Sequence, residues 1–201
     1  TIYQDTDTHD INITATIKST DGNIYAIKTV AVITTNSFLF TKYDNAEVVA
    51  KMFAANKCAS SYGMTKAECE AVTSLGTIFK GDTNLKSFNE LQYFTGLTSL
   101  GDNCFQSCTK LVSIALPSSL KDLGLGSNCF DSCSALASIT IPNSIYSFGA
   151  YCFQNCTSLT SVTLPNSITD LPNYCFYGCT SLIDIQGTSN ITTINDCCFQ
   201  S

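Results

Sequence analysis

CFDSCSALASITIPNSIYSFGAY (129–151) runs directly into CFQNCTSLTSVTLPNSITDLPNY (152–174), and the two strings superimpose residue by residue. Cysteine-phenylalanine pairs begin at Cys104, Cys129, Cys152, Cys175 and Cys198, separated by 25, 23, 23 and 23 residues. A period of this size belongs to solenoids, in which each unit contacts only its neighbours. Apolar positions repeat in phase: Leu111, Leu136, Leu159 and Leu182; Ile114, Ile139, Val162 and Ile185; Leu116, Ile141 and Leu164.

Within each unit, ITIP or VTLP reads as a very short alternating strand ended by proline, which has no N–H for a ladder. CFQNCTSL places apolar residues at i, i+1, i+4 and i+7, a spacing that predicts one short helical turn. The unit from 104 to 128 is two residues longer, and the excess is expected as an outer bulge around Gly124 to Gly126. One unit offers about eight buried side chains at ~2 kcal/mol each, against an ordering cost of ~1.5 kcal/mol per residue. A unit does not fold alone, so stacking is obligatory.

The pattern CFxxCxxLxSIxLPxSIxxxG, nearly complete in 129–149 and 152–174, resembles the BspA-like leucine-rich repeat family, which more often has Ala at the first Cys. IFKGDTNLKSFNELQYFTGLTSLGDNCF (78–105) resembles a divergent first repeat of that family. Over about 76–201, the resemblance implies a right-handed leucine-rich-repeat solenoid, with parallel β strands and short helical or 3-10 returns. It also implies a place on the cell surface of anaerobic gut or oral bacteria and a role in adhesion or as an interaction scaffold.

Before the array, DNAEVVAKMFAANKC (44–58) and MTKAECEAVTSL (64–75) have helical apolar spacing. Asp44 or Asn45 is the candidate N-cap of the first, and Thr65 with Glu68 forms a capping box for the second. Residues 44–75 are thus expected to be a helical cap with its apolar side on the first rung. Their linker resembles a calcium loop that precedes some such arrays, but Cys58, Ser60 and Tyr62 stand where acidic ligands should alternate, so calcium is not expected there. Residues 1–43 read as a β-rich segment: INITATIK (11–18), a turn in STDGN (19–23), IYAIKTVAVITT (24–35) and SFLFTKY (37–43) as a third strand.

Twelve cysteines call for a decision between chemistry and packing. The spacing is CxxxC, whereas structural zinc favours CxxC, and Leu111 stands where a third cluster ligand would fall. Equivalent side chains on stacked rungs project in parallel ~4.8 Å apart, and a relaxed disulfide needs Cβ atoms ~3.8 Å apart and facing. The cysteines of the array therefore read as small, buried, inert apolar groups. A bridge between Cys58 and Cys69 stays open at this level. The single histidine, His9, lies in TDTHD, and no carboxylates converge within the array. No catalytic residue, metal or cofactor is expected.

The net charge is −6, and all ten cations are lysine. That excludes a basic surface for nucleic acid and the arginine fork used on phosphates. No run of eighteen apolar residues marks a membrane span. The chain begins at Thr1 without Met and stops at Ser201 inside a repeat, which points to a piece of a longer protein and to self-association through an uncapped last rung. Candidate partner-binding residues are two strand-face rows, Ala115, Thr140, Thr163, Gln186 and Val112, Ala137, Thr160, Ile183, expected to form a flat uncharged surface for a protein or glycan. The alternative is a passive spacer that displays another domain.

Overall fold

The computed structural model describes residues 11–18, 24–32 and 38–41 as backbone strands, and 45–61, 63–121 and 124–200 in full. His9 with its acidic neighbours and the STDGN turn lie outside the described residues. β1 (Ile11–Lys18) and β2 (Ile24–Val32) pair antiparallel, from Ile11 opposite Val32 to Lys18 opposite Ile24. β3 (Phe38–Thr41) pairs antiparallel with β4 (Gly63–Thr65), so a strand of the N-terminal segment holds the residues just before the second cap helix.

Asn45 caps α1 (Ala46–Ala54) by accepting the Val48 N–H at 3.3 Å. Thr65 and Glu68 form the capping box of α2 (Lys66–Ala71). These contacts satisfy N–H groups that the first helical turn leaves without partners. Glu68 also accepts the Ala59 N–H at 2.7 Å, so the linker's acidic group is committed to the backbone. Burial opposes its ionisation, and the N–H groups of Ala59 and Thr65 outweigh it, holding the carboxyl below its ordinary value. Val48, Val49 and Met52 of α1 and Cys69 of α2 are buried in one core with Phe79, Leu85 and Phe88.

The array follows as stacked rungs. β5 (Ser87–Phe88) pairs parallel with β6 (Ser113–Ile114). β7 (Ser138–Thr140), β8 (Ser161–Thr163) and β10 (Asp184–Gln186) form a parallel sheet with Ile139, Val162 and Ile185 in register. On a second side of the rungs, β9 (Asp170–Leu171) pairs parallel with β11 (Thr193–Ile194). Phe79, Phe105, Phe130, Phe153, Phe176 and Phe199 form one column with successive centroid separations of 5.4 or 5.5 Å. The divergent unit that starts near Phe79 is thus the first rung, joined to the next by rings and by strand pairing.

The return segment differs from the expected helical turn. Asn103, Asn128, Tyr151, Tyr174 and Cys197, each just before a Cys-Phe pair, have φ from 53° to 61°. Ser107, Ser132, Asn155 and Gly178, each just before the second cysteine, have φ from 55° to 70°. With these left-handed residues the N–H groups alternate in direction. Asn103, Phe105 and Ser107 donate to Ser127, Cys129 and Asp131 of the next rung at 2.8 to 2.9 Å, while Gln106 and Cys108 donate back to Asn103 and Phe105. A continuous helix would commit these N–H groups to its own carbonyls and leave this side of the rungs unjoined.

The expected outer bulge also needs correction. Leu125 is buried, and it bridges Leu100 and Phe148 of the adjoining rungs. A Cβ on Gly126 would stand 2.6 Å from Asp102 N, and one on the equivalent Gly149 would stand 2.2 Å from Ser127 N. These glycines serve close backbone approach inside the stack. Residues 122–123, between Leu120 and Leu125, lie outside the described residues.

Candidate functional site

The strand face is built from side chains that the pleat turns outward. Ile114, Ile139 and Val162 point into the core, 8%, 4% and 1% exposed, so the residues on either side of each point away. The outward neighbours are Ser113 with Ala115, Ser138 with Thr140, Ser161 with Thr163, and Asp184 with Gln186. Thr140, Thr163 and Gln186 lie in register across β7, β8 and β10, as the predicted row requires. Ala115 is half-buried and directly follows β6, which pairs with β5 and not with β7.

The other predicted row sits one residue ahead of the strands. Val112 is 51% exposed and Ile183 88% exposed. Backbone bonds from Ala137 N to Val112 O (3.5 Å), Thr160 N to Ala137 O (2.9 Å) and Ile183 N to Thr160 O (3.1 Å) hold the row together. The Thr160 hydroxyl donates to Ala137 O at 3.1 Å, so its outer surface is a methyl group.

The expected flat sheet is interrupted. Between β6 and β7 the ladder weakens to the long Ala137–Val112 bond, and a groove of about 390 Å³ opens there. Ile114, Ile139, Leu116 and Pro142 supply its apolar lining, and Ser113, Ser118, Ser138 and Thr140 carry hydroxyls. Ala115 has no side-chain bulk to close the gap. The two expected rows stand three residues apart and leave out Ser113 and Ser138. The strand's period of two, already visible in the serine before each core residue, identifies them.

The interior shows what the cysteines do. All twelve are free thiols. Cys108, Cys133, Cys156 and Cys179 donate through Sγ to the carbonyls of Phe79, Phe105, Phe130 and Phe153, each on the preceding rung, at 3.0 to 3.2 Å. The second cysteine of each unit is therefore an apolar filler that also donates a weak hydrogen bond, a feature the sequence does not display. Burial pushes the Cys179 thiol up to about 11 and the Cys69 thiol up to about 12. Burial also drives Cys129, Cys156 and Cys175 well above the ordinary thiol value. A thiolate is the reactive form, and this interior suppresses it. Among the described residues, no group of three or more His, Cys, Asp or Glu side chains is placed to hold a metal ion.

Comparison with known proteins covers the same span as the rungs. A family model described as BspA type Leucine rich repeat region (6 copies) matches residues 76–201, the span that contains the six stacked phenylalanines. No curated protein matches the chain. Among solved structures, a leucine rich cell surface protein from Faecalibacterium prausnitzii is 30% identical, with a TM-score of 0.43, over 46% of this chain and 24% of its own. A leucine-rich repeat protein from Bacteroides ovatus is 29% identical, with a TM-score of 0.48, over 64% of this chain and 38% of its own. The leucine rich repeat protein of T. pallidum is 24% identical, with a TM-score of 0.44, over 61% of this chain and 66% of its own. In each case the likeness covers less than two thirds of the solved chain. With a repeat model matching well over half of its residues, the chain belongs to the BspA-type leucine-rich repeat family.

Proposed function

We propose that this chain is a non-catalytic interaction module of an extracellular, cell-surface protein, engaging a protein or glycan partner through the strand face. The observation that carries the reading is the groove between β6 and β7, lined by hydroxyls and isoleucines and continued by the register of Thr140, Thr163 and Gln186. Such a surface recognises neutral polar partners with apolar patches, and a rigid ladder adds contacts along its length by avidity. Membership of the family, and the surface protein among the similar structures, support the location. The thiols and the single histidine offer no nucleophile-base pair within the array, which supports a non-catalytic role.

The test is binding of the purified chain to panels of glycans and host or neighbouring-cell proteins, with the double variant T140K/T163K as a blocked face. A ligand whose affinity falls about tenfold or more in the variant supports the reading. Equal affinity for both chains overturns the assignment to this face. Failure to bind anything, where a longer protein containing the chain does bind, favours the passive spacer.

A further inference from the structure

Several hydroxyls along the rungs are committed to the neighbouring rung. Ser119 Oγ donates to Leu97 O at 2.5 Å, Ser167 Oγ to Ile145 O at 2.5 Å and Thr192 Oγ1 to Thr169 O at 3.2 Å. In the groove between β6 and β7, the hydroxyls of Ser113, Ser118, Ser138 and Thr140 have no such partner among the described residues. They border one concave space together with the aliphatic side chains of Ile114 and Ile139, and no charged side chain lines it. Its volume of about 390 Å³ lies at the small end of the range of ligand sites, ~300–1,000 Å³.

This geometry limits what enters. An extended peptide joins a sheet by taking a strand position ~4.8 Å from each neighbour. A strand between β6 and β7 would need them ~9.6 Å apart, and the 3.5 Å bond from Ala137 N to Val112 O holds the residues just before them together. The occupant is therefore compact. It is also uncharged, because a carboxylate or sulfate would lose water on entry with no cation in the lining to meet it. A serine or threonine hydroxyl donates one hydrogen bond and accepts two, so it is best matched by groups that do both. A pyranose ring supplies such hydroxyls on its edge and C–H groups on its face for the isoleucines.

We propose that the groove is a subsite for a neutral saccharide, one pyranose ring seated on Ile114 and Ile139 with its hydroxyls bonded to those of Ser113, Ser118, Ser138 and Thr140. The assignment rests on the strand face being the interaction surface and names the ligand class for it. A hydrogen bond exchanged with water gains little, so one ring binds weakly. Thr163 and Gln186, in register with Thr140, continue the surface for the next rings of an oligosaccharide, and several weak contacts on one ladder add by avidity.

The experiment applies the whole chain to an array of neutral oligosaccharides of hexoses and N-acetylhexosamines, beside sialylated and sulfated counterparts, and titrates whatever binds. Neutral oligosaccharides are expected to bind, and their acidic counterparts about tenfold or more weakly. The double variant Ser113→Ala/Ser138→Ala should lose about fivefold or more in affinity. Ala115→Leu, which fills the groove, should lose at least as much, and thermal melting checks that each variant folds. An array without a bound saccharide, or with acidic sugars preferred, overturns the assignment. So does a saccharide that binds wild type, the serine variant and Ala115→Leu equally. If that saccharide, or a protein ligand in place of any saccharide, is lost in T140K/T163K, the strand face stands and only the groove falls. Equal binding to T140K/T163K as well overturns both.

Discussion

Phe105, Phe130, Phe153 and Phe176 occupy one interior column, their rings 5.4 or 5.5 Å apart and within 4° of parallel. Ala115, Thr140, Thr163 and Gln186 occupy an exterior column of the same rungs and change in size or polarity at most steps. Every rung asks the same thing of its interior: fill one cross-section and present a flat ring to the rings above and below. Along this exterior column, backbone bonds join the rungs, so the side chain is free to vary. Repetition within one chain thus separates residues that hold the stack from residues available for contact.

That comparison can be broken at its strongest point by Phe130→Ala. The ring is fully buried and stacked on both sides, so a loss of about 3–5 kcal/mol is expected from denaturant unfolding. A loss below ~1 kcal/mol would mean that neighbouring rungs collapse into the space.

Alkaline titration probes the thiols of the same interior. Cys179 shifts from 9.0 to about 11, a raised group whose contribution is complete below 9.0 and is lost as pH rises through about 11. Stability should therefore fall above pH 9.0, by about 2 kcal/mol for this thiol alone, and Cys179→Ala should lessen the slope. A thiol count with a chromogenic reagent at neutral pH gives the companion check: the buried cysteines should react only after unfolding.

Gly149→Ala sets a Cβ 2.2 Å from Ser127 N, a backbone atom that cannot swing away. We expect a cost of about 1–3 kcal/mol by thermal melting. Cys156→Ser should cost about 1 kcal/mol, because the hydroxyl still donates to Phe130 O but packs less well. Cys156→Ala leaves that carbonyl its bond from Cys133 N at 3.1 Å, so the alanine variant should not be much worse. At the other end of the comparison, Thr163→Lys on the strand face should leave stability within ~0.5 kcal/mol, and a larger loss would place the face among the structural residues.

The tyrosines show how far one column can bend the local rules. Tyr151 and Tyr174 take left-handed φ of 61° and 57°, where Asn103 and Asn128 serve the earlier rungs. Asparagine tolerates that region and a bulky residue does so at a cost. The two rings stack at 4.8 Å, an interaction that offsets part of this cost.

The sequence alone determined the architecture. A 23-residue period with Phe, Leu and Ile in phase permits one kind of interior, and the capping signals at Asn45 and at Thr65 with Glu68 depend only on neighbours a few residues away. Three features were decided by the tertiary structure, because each depends on the rung next door. Whether CFQNC closes as a helix or as alternating turns depends on which carbonyls the following rung offers. The opening between β6 and β7 depends on how two rungs settle against each other near the longer unit. And Asp82, in place of a cysteine, gains its ion pair with Lys51 only when α1, about thirty residues earlier in the chain, packs on the first rung.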